Sequence, residues 1–291
     1  MTLLPAPKVL AAELLKLRKR WLPYVLFLVM VIGVAAHIWL LGYATWADQN
    51  NTFDAFFHAE TLRTFVLPHA LPALLQSGQF WGSMLVGILT ASVVGTEYSW
   101  GTARQALLRG QTRSEYLTLK LIGLVMVASV GLLAALGIGI LFSLMASALV
   151  SEEVGGSISF GAAIFMVLRT GYTIIPYGLL AFALTTVGRS TTLGVAGSVI
   201  FVVLEAIMIA VLSGIGTAWS ETARAFLPGH NVAAILSANR IDEGLFFSLA
   251  PREQLLPVSL PDPTVAALVL ALYCLVFLAI SYAVFQRRDL Q

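Results

Sequence analysis

The sequence predicts an all-α polytopic membrane protein, and its composition carries that prediction. Of the 291 residues, 58% are hydrophobic and only 11% are charged; the mean hydropathy is +0.88. A soluble domain carries about 25% charged residues, so a soluble globular enzyme is excluded, and the apolar content excludes a disordered chain. Cys274 is the only cysteine, which excludes an intrachain disulfide scaffold. The net charge of +2 is too small to indicate nucleic-acid binding.

Six stretches are long enough to cross a bilayer, which takes about 20 apolar residues. Each is free of Asp, Glu, Lys and Arg or contains a single such residue: 22–45, 72–95, 121–150, 158–187, 191–213 and 265–285. The third is longer than a span requires and is expected to tilt or protrude. We predict that they form one transmembrane domain over residues 1–291.

The direction of the spans follows from Lys and Arg in the connections, because these residues are enriched on the cytoplasmic side. Twelve of the seventeen lie in the N-terminal segment, the second-to-third connection, the fourth-to-fifth turn and the tail, whereas four lie in the opposite connections. Ten of the fifteen acidic residues fall on that opposite side. We therefore predict a multi-pass protein of the cell membrane with both termini in the cytoplasm.

Residues 1–21 are predicted to form an amphipathic helix on the inner leaflet. Its apolar residues recur at helical spacing: Leu10, Leu14, Leu17 and Trp21. Its cations fall mostly elsewhere on the helix: Lys8, Lys16, Lys19 and Arg20. Such a helix lies in the interface, where anionic lipid attracts each cation by about 1 kcal/mol. The alternative is a basic flank that only fixes topology.

Residues 97–118 join the second and third spans and are too apolar for a simple turn. A short helix there would have an apolar side formed by Ala103, Ala106, Leu107 and Leu108. Gly110 is a plausible stop for that helix, and Ser114 with Glu115 is expected to begin the next one. A soluble partner that gripped this helix would move both spans together. The alternative is a solvated basic loop.

This segment resembles the permeases of type-2 (ABC-2-type) ABC transporters. The resemblance rests on one pattern that ends where the third span begins: Glu97-Tyr98, Gly101-Thr102, Arg104, Leu107, Gly110, Arg113 and Lys120. In that family an acidic–aromatic pair followed by Gly-Thr opens the cytoplasmic coupling helix. The layout of the whole chain is also similar: the N-terminal helix resembles the family's connecting helix, the turn 188–190 its short fourth-to-fifth link, and the stretch around 226–228 its re-entrant region.

The resemblance implies a permease of an ATP-driven exporter for an amphiphilic or hydrophobic substrate, such as a drug, antibiotic, peptide or lipid-like molecule. Two permease chains, alike or different, would work in the bilayer with two copies of a separate ATPase. ATP and Mg would bind to that partner, since the sequence contains no phosphate-binding P-loop. The implied coupling residues are Glu97, Tyr98, Trp100, Gly101, Thr102, Arg104, Leu107 and Gly110. Glu97 would cap or orient the helix, and Arg104 would meet an acidic groove.

Arg169 and Glu205 are charged residues inside the fourth and fifth spans. A charge at the centre of a span costs about 2.5–3.5 kcal/mol, so each should face protein or water. Counted from the shared inner turn at about 1.5 Å per residue, their depths differ by only about 6 Å, which predicts a possible pair with Tyr172 beside it. The pair would be structural, would line a transport route, or would couple protons. No catalytic constellation or zinc pattern is present.

The external segment 214–262 contains two short apolar runs, 232–236 and 244–249, that we expect to be re-entrant or interfacial. Pro261, Asp262 and Pro263 then supply a stop, an N-cap and a preferred first residue for the last helix. Two other functions remain open: a secondary transporter that uses Arg169 and Glu205, and a membrane scaffold that transports nothing. The sequence has no two-half repeat of the kind that many carriers show.

Overall fold

The computed structural model describes residues 7–48, 67–149, 158–239 and 260–287. The regular elements in these ranges are all helices: α1 (Pro7–Lys19), α2 (Leu22–Asp48), α3 (Ala70–Ser99), α4 (Thr102–Leu108), α5 (Arg113–Leu149), α6 (Phe160–Gly188), α7 (Thr191–Ile215), α8 (Ala218–Ala225), α9 (Pro228–Ser237) and α10 (Pro263–Arg287).

Five of these helices, α3, α5, α6, α7 and α10, are long and apolar enough to cross a membrane. The number rises to six if the bent pair formed by residues of α1 and α2 counts as one span. The predicted fold class, an all-α polytopic membrane protein, is therefore confirmed. The longest helix is α5, with 37 residues, in agreement with the excess length of the third predicted span.

Helix α6 lies at the centre of the fold, where it packs against α3, α7 and α10. Close packing between membrane helices depends on small residues. At the inner ends of α3 and α7 the two backbones approach so closely that a Cβ atom on Gly95 would lie 2.7 Å from the Cα of Thr191. Only glycine fits there. Pro176 lies inside α6, which continues on both sides of it.

The N-terminal helix packs differently from the prediction. Its axis turns by 62° where α1 meets α2, but its apolar stripe is turned toward α5 rather than toward lipid. Leu17 is buried and approaches Gly123, whereas Trp21 is 80% exposed and is not part of that stripe. The physical reason is Glu13, which lies on the same side of α1 and has its ionic partner on α5.

Caps hold the short helices α8 and α9 and the start of α10. Thr217 begins α8 with a reciprocal capping box to Ser220, and the Asn231 side-chain amide donates to the carbonyls of Ala225 and Leu227, both at 2.8 Å. The predicted apolar run 232–236 lies in α9, while the run 244–249 lies outside the described residues. Asp262 caps α10 as predicted, because its carboxylate accepts the Thr264 N–H at 2.8 Å.

The Asp262 cap also affects its own protonation. The Thr264 hydroxyl and the Thr264 backbone N–H both hydrogen-bond to the Asp262 carboxylate, which favours its charged form and lowers its pKa below the ordinary value. The anion at this position also complements the positive end of the α10 dipole.

Candidate coupling site and intramembrane charges

Helix α4 is a short element held between two left-handed glycines. Gly101 precedes it with φ 67° and Gly110 follows it with φ 94°, values that non-glycine residues rarely adopt. Gly110 N–H donates to the Leu107 carbonyl at 3.0 Å, and Gln111 N–H donates to the Ala106 carbonyl at 3.4 Å. These two bonds form a Schellman motif. The stop expected at Gly110 is therefore present.

The two faces of α4 have different environments. Ala103 is buried in a hydrophobic cluster that includes Leu17 and Phe285, which we call the inner core. Ala106 and Leu107 pack against it. Arg104, Gln105, Leu108 and Arg109 face outward. The expected apolar side is correct for three residues but wrong for Leu108, which is 78% exposed. The hydrophobic surface that Leu108 presents is therefore available to a partner.

The helix that follows begins one residue earlier than predicted. It begins at Arg113, and its N-cap is Thr112: the Thr112 hydroxyl accepts the Glu115 N–H at 3.2 Å, and the Glu115 carboxylate accepts the Thr112 N–H at 3.0 Å. This is a capping box.

Glu97 points into the protein and not toward solvent. Its carboxylate accepts the Tyr116 hydroxyl at 2.5 Å and also accepts the Lys120 ammonium. Lys120 donates in addition to Glu13 of α1. We call Glu13, Glu97, Tyr116 and Lys120 the buried ion cluster, because none of them is more than 4% exposed. Glu97 can therefore orient the coupling segment, but its side chain is not a contact surface for a partner.

The sequence analysis missed two members of this cluster, Glu13 and Tyr116. A signal for Glu13 was present: it is the only acid in residues 1–21, and it lies among the apolar positions 10, 14 and 17. An acid on the apolar side of an amphipathic helix needs a cation inside the protein, since burial of an unpaired charge is costly. Tyr116 gave no comparable signal.

The other predicted coupling residues surround the ends of α4. The Thr102 hydroxyl donates to the Glu97 carbonyl at 3.3 Å, which ties the start of α4 to the end of α3. Tyr98 is half-buried and meets Phe285 edge-on at 6.3 Å between ring centroids. Trp100 is exposed, and the Arg20 guanidinium lies 5.4 Å from its ring centroid while donating to the Thr96 hydroxyl at 2.8 Å.

Arg169 and Glu205 do not pair with each other. The Arg169 guanidinium donates to the Ala238 carbonyl at 2.7 Å and reaches the Asn239 side-chain oxygen at 3.5 Å. The Glu205 carboxylate accepts the Gly229 N–H at 2.6 Å and the Tyr177 hydroxyl at 3.0 Å. Tyr172 is not part of this group either, because its hydroxyl donates to the Ala267 carbonyl of α10. The expected Arg169–Glu205 pair is therefore wrong.

Helix α9 explains the separation. Gly229 lies in its first turn and Ala238 is its C-cap, so Glu205 occupies the N-terminal end and Arg169 the C-terminal end. An anion at the N-terminus and a cation at the C-terminus are the two placements that a helix dipole favours. The two charges of the spans thus hold one short helix between them. Gly229 permits this contact, because a Cβ there would lie 3.2 Å from the Glu205 carboxyl carbon.

The contacts at the two ends of α9 lie far from the ends of the long helices that make them. Glu205 lies ten residues before Ile215, the outer end of α7, which is about 15 Å along the helix axis. Arg169 lies nine residues after Phe160, the start of α6, which is about 14 Å. Helix α9 therefore lies well inside the outer ends of the helices that hold it.

A cavity of about 390 Å³ lies between α3, α5 and α6. Its walls are apolar side chains such as Leu132, Leu133 and Ile175, with three hydroxyl residues, Thr90, Ser129 and Tyr172. The Ser129 hydroxyl donates to the carbonyl of Val125, and Tyr172 is bonded as described above. This volume is within the range of small-molecule sites, about 300–1,000 Å³. Within the described residues, no group of His, Cys, Asp and Glu is placed to hold a metal ion.

The sequence of the chain matches a known protein family. A family model described as ABC-2 family transporter protein matches residues 8–290. The chain belongs to the ABC-2 transporter family. The resemblance seen in the sequence is thereby confirmed, and the protein is a multi-pass permease subunit of an ABC transporter. Permeases of this family generally work with an ABC ATPase partner. No protein of curated function matches the sequence.

Proposed function

We propose that this ABC-2 permease is the membrane subunit of an ATP-driven exporter, with both termini in the cytoplasm of the cell and a separate ATPase subunit docked on α4. One observation carries the proposal: α4 is fixed to the inner core by Ala103 while it exposes Leu108 and Arg104 on its other face. A force applied to that exposed face would reach α3 and α5 directly. Closure of two ATPases around ATP would shift α4 and rearrange the spans of two permease chains.

We infer that the substrate is amphiphilic or hydrophobic. The cavity between α3, α5 and α6 supports this inference, because its walls are apolar and Ser129 and Tyr172 already use their hydroxyls within the protein. A charged hydrophilic substrate would find no compensating group among those walls. Drugs, antibiotics, apolar peptides and lipid-like molecules all belong to the class that fits.

The alternative of a secondary transporter has less support. In that reading Arg169 and Glu205 would bind substrate or ions, yet both are occupied by backbone groups at the two ends of α9. A bound substrate would have to displace α9 from them. No observation in the described part of the chain favours a scaffold that transports nothing.

The test is purification of the tagged chain from its native host in mild detergent. We expect a protein with Walker motifs to be recovered with it, and we expect Arg104→Glu combined with Leu108→Ser to reduce that recovery by at least an order of magnitude, as loss of a central interface contact does. Trp219→Ser is the matched control, because Trp219 is an exposed aromatic residue on α8. Full transport activity of the chain reconstituted alone would overturn the proposal.

A further inference from the structure

The buried ion cluster joins three parts of the chain that are remote in sequence. Glu13 belongs to α1, Glu97 to the end of α3, and Lys120 to α5. We propose that Lys120 and Glu13 are positioning residues that make α1 and α4 move as one rigid body, which we call the coupling unit. The proposal rests on the proposed function, since the ATPase supplies the movement at α4, and it adds α1 to the parts that receive it.

The charges of the buried ion cluster hold α1 firmly against α3 and α5. One ammonium group serves two carboxylates, and Lys120 is only 2% exposed. If α1 separated from α5, Lys120 would lose the Glu13 carboxylate and keep only Glu97, and breaking a buried ion pair is far more costly than loss of a surface ion pair. The cluster therefore resists any movement of α4 and the end of α3 that leaves α1 behind.

A second contact holds the same parts together from another side. Arg20 lies at the corner between α1 and α2, donates to Thr96 of α3 and covers the ring of Trp100, which directly precedes α4. Leu17 and Ala103 are members of one core cluster. An ionic tie, a cation–π contact and a shared apolar core fix both the distance and the orientation of α1 relative to α4.

The connection between α1 and α2 is a sharp bend, unlike the packed contacts between α1 and α4. The chain bends by 62° there. The backbone bonds of the turn are Arg20 N–H to the Leu17 carbonyl at 3.3 Å and the Tyr24 and Val25 N–H groups to the Trp21 carbonyl, each at 3.1 Å, and the Tyr24 hydroxyl donates to the Arg18 carbonyl at 2.9 Å. A break in a helical hydrogen-bond pattern is a natural hinge position. The coupling unit is thus expected to pivot against α2, so that a movement received at α4 also moves α1.

Distance measurements between spin labels test this rigid body. Cys274→Ser gives a chain without cysteine, into which labels are placed at Leu15→Cys on α1 and at Arg109→Cys, the C-cap of α4; both positions are exposed. A reference pair joins Arg109→Cys to Ile215→Cys at the C-terminal end of α7. In the permease–ATPase complex, ATP with Mg²⁺ and vanadate should shift the reference pair by about 2–5 Å and leave the Leu15–Arg109 distance within the width of its nucleotide-free distribution.

Substitutions in and beside the buried ion cluster provide a second test of the rigid body. Glu13→Gln should broaden the Leu15–Arg109 distribution even without nucleotide and should make that distance respond to ATP. Lys16→Gln is the matched control: Lys16 contacts the same carboxylate at 3.4 Å, but its side chain is 63% exposed, so this variant should behave as the wild type does. Lys120→Arg keeps the charge and should retain most of the coupling.

The outcomes separate the two proposals. If the Leu15–Arg109 distance in the chain with an intact cluster changes as much as the reference pair, α1 and α4 are not one body and the inference is overturned; this holds even if Glu13→Gln does not fold. An unchanged, narrow distribution in Glu13→Gln would overturn it as well. If instead no ATPase binds, or nucleotide does not change the reference distance, the proposed function fails. The distance distributions of Glu13→Gln and Lys16→Gln without nucleotide still test whether the buried ion cluster holds α1 and α4 together.

Discussion

At the scale of single residues, the buried Lys120 is expected to make a large electrostatic contribution to stability. It compensates two buried carboxylates, and replacement by Met would leave Glu97 without a cation and Glu13 with only the exposed Lys16 at 3.4 Å. We expect Lys120→Met to lower the free energy of unfolding by about 3–5 kcal/mol. Unfolding in mixed micelles with increasing SDS, followed by circular dichroism, measures this loss. Lys16→Met should cost no more than about 1 kcal/mol; equal losses would show that burial of the cluster has no energetic consequence.

Two glycines with opposite backbone conformations give a second prediction at this scale. Gly110→Ala places a side chain at φ 94°, which should destabilise the protein by about 1–2 kcal/mol. Gly137→Ala is the control in α5: it is helical, and a Cβ there meets no atom within 4 Å. Because alanine is the better helix former by about 1 kcal/mol, this variant should be slightly more stable. Thermal unfolding should therefore move in opposite directions for the two variants, and parallel shifts would contradict the assigned conformations.

The same residues show how far the sequence alone reaches. Gly110 was predictable as a helix stop because its signal is local: the glycine follows a short helical pattern. The burial of Glu97 was not predictable, because its partner Lys120 is 23 positions away and the second acid, Glu13, is 107 positions from that lysine. A single sequence contains the charges of such a cluster but not the packing that brings them together.

At the scale of helices, the predicted pair between Arg169 and Glu205 does not form. The depth arithmetic placed Arg169 and Glu205 at similar levels of adjacent helices, and both do lie about 14–15 Å inside the outer ends. What the arithmetic could not include was a third helix entering between them. Helix α9 is ten residues long, so its dipole and its free end groups satisfy both charges at once.

This arrangement predicts how the two charges combine. Arg169→Gln and Glu205→Gln should each cost about 1 kcal/mol, and up to about 2 kcal/mol where burial strengthens the dipole interaction. Because their side chains do not touch each other, the double variant should show additive losses within about 0.5 kcal/mol. Unfolding of the four proteins of this cycle in detergent provides the measurement. A coupling energy well above that value would show a direct contact between Arg169 and Glu205.

At the scale of the whole molecule, the membrane itself made most of the fold predictable. A spanning segment must be helical to satisfy its backbone and apolar to remain in lipid, so the six predicted spans match helices α2, α3, α5, α6, α7 and α10. The ends differ by at most four residues, except that α5 begins eight residues before the predicted third span. The prediction failed where burial is inside protein and not in lipid. The N-terminal stripe was assigned to the bilayer, yet Leu17 and Glu13 face α5, since both environments select the same apolar spacing.

The orientation of the molecule is the last prediction, and it decides whether α4 can meet an ATPase at all. In the Cys274→Ser background, Leu108→Cys and Trp219→Cys place single thiols on exposed residues at the ends of the fold that we assign to the cytoplasm and the exterior. A membrane-impermeant maleimide added to intact cells should label Trp219→Cys and leave Leu108→Cys unmodified until the membrane is opened. The expectation follows from the excess of Lys and Arg on the α4 side. Labelling of Leu108→Cys in intact cells would place α4 outside, where no ATP-driven subunit could act on it.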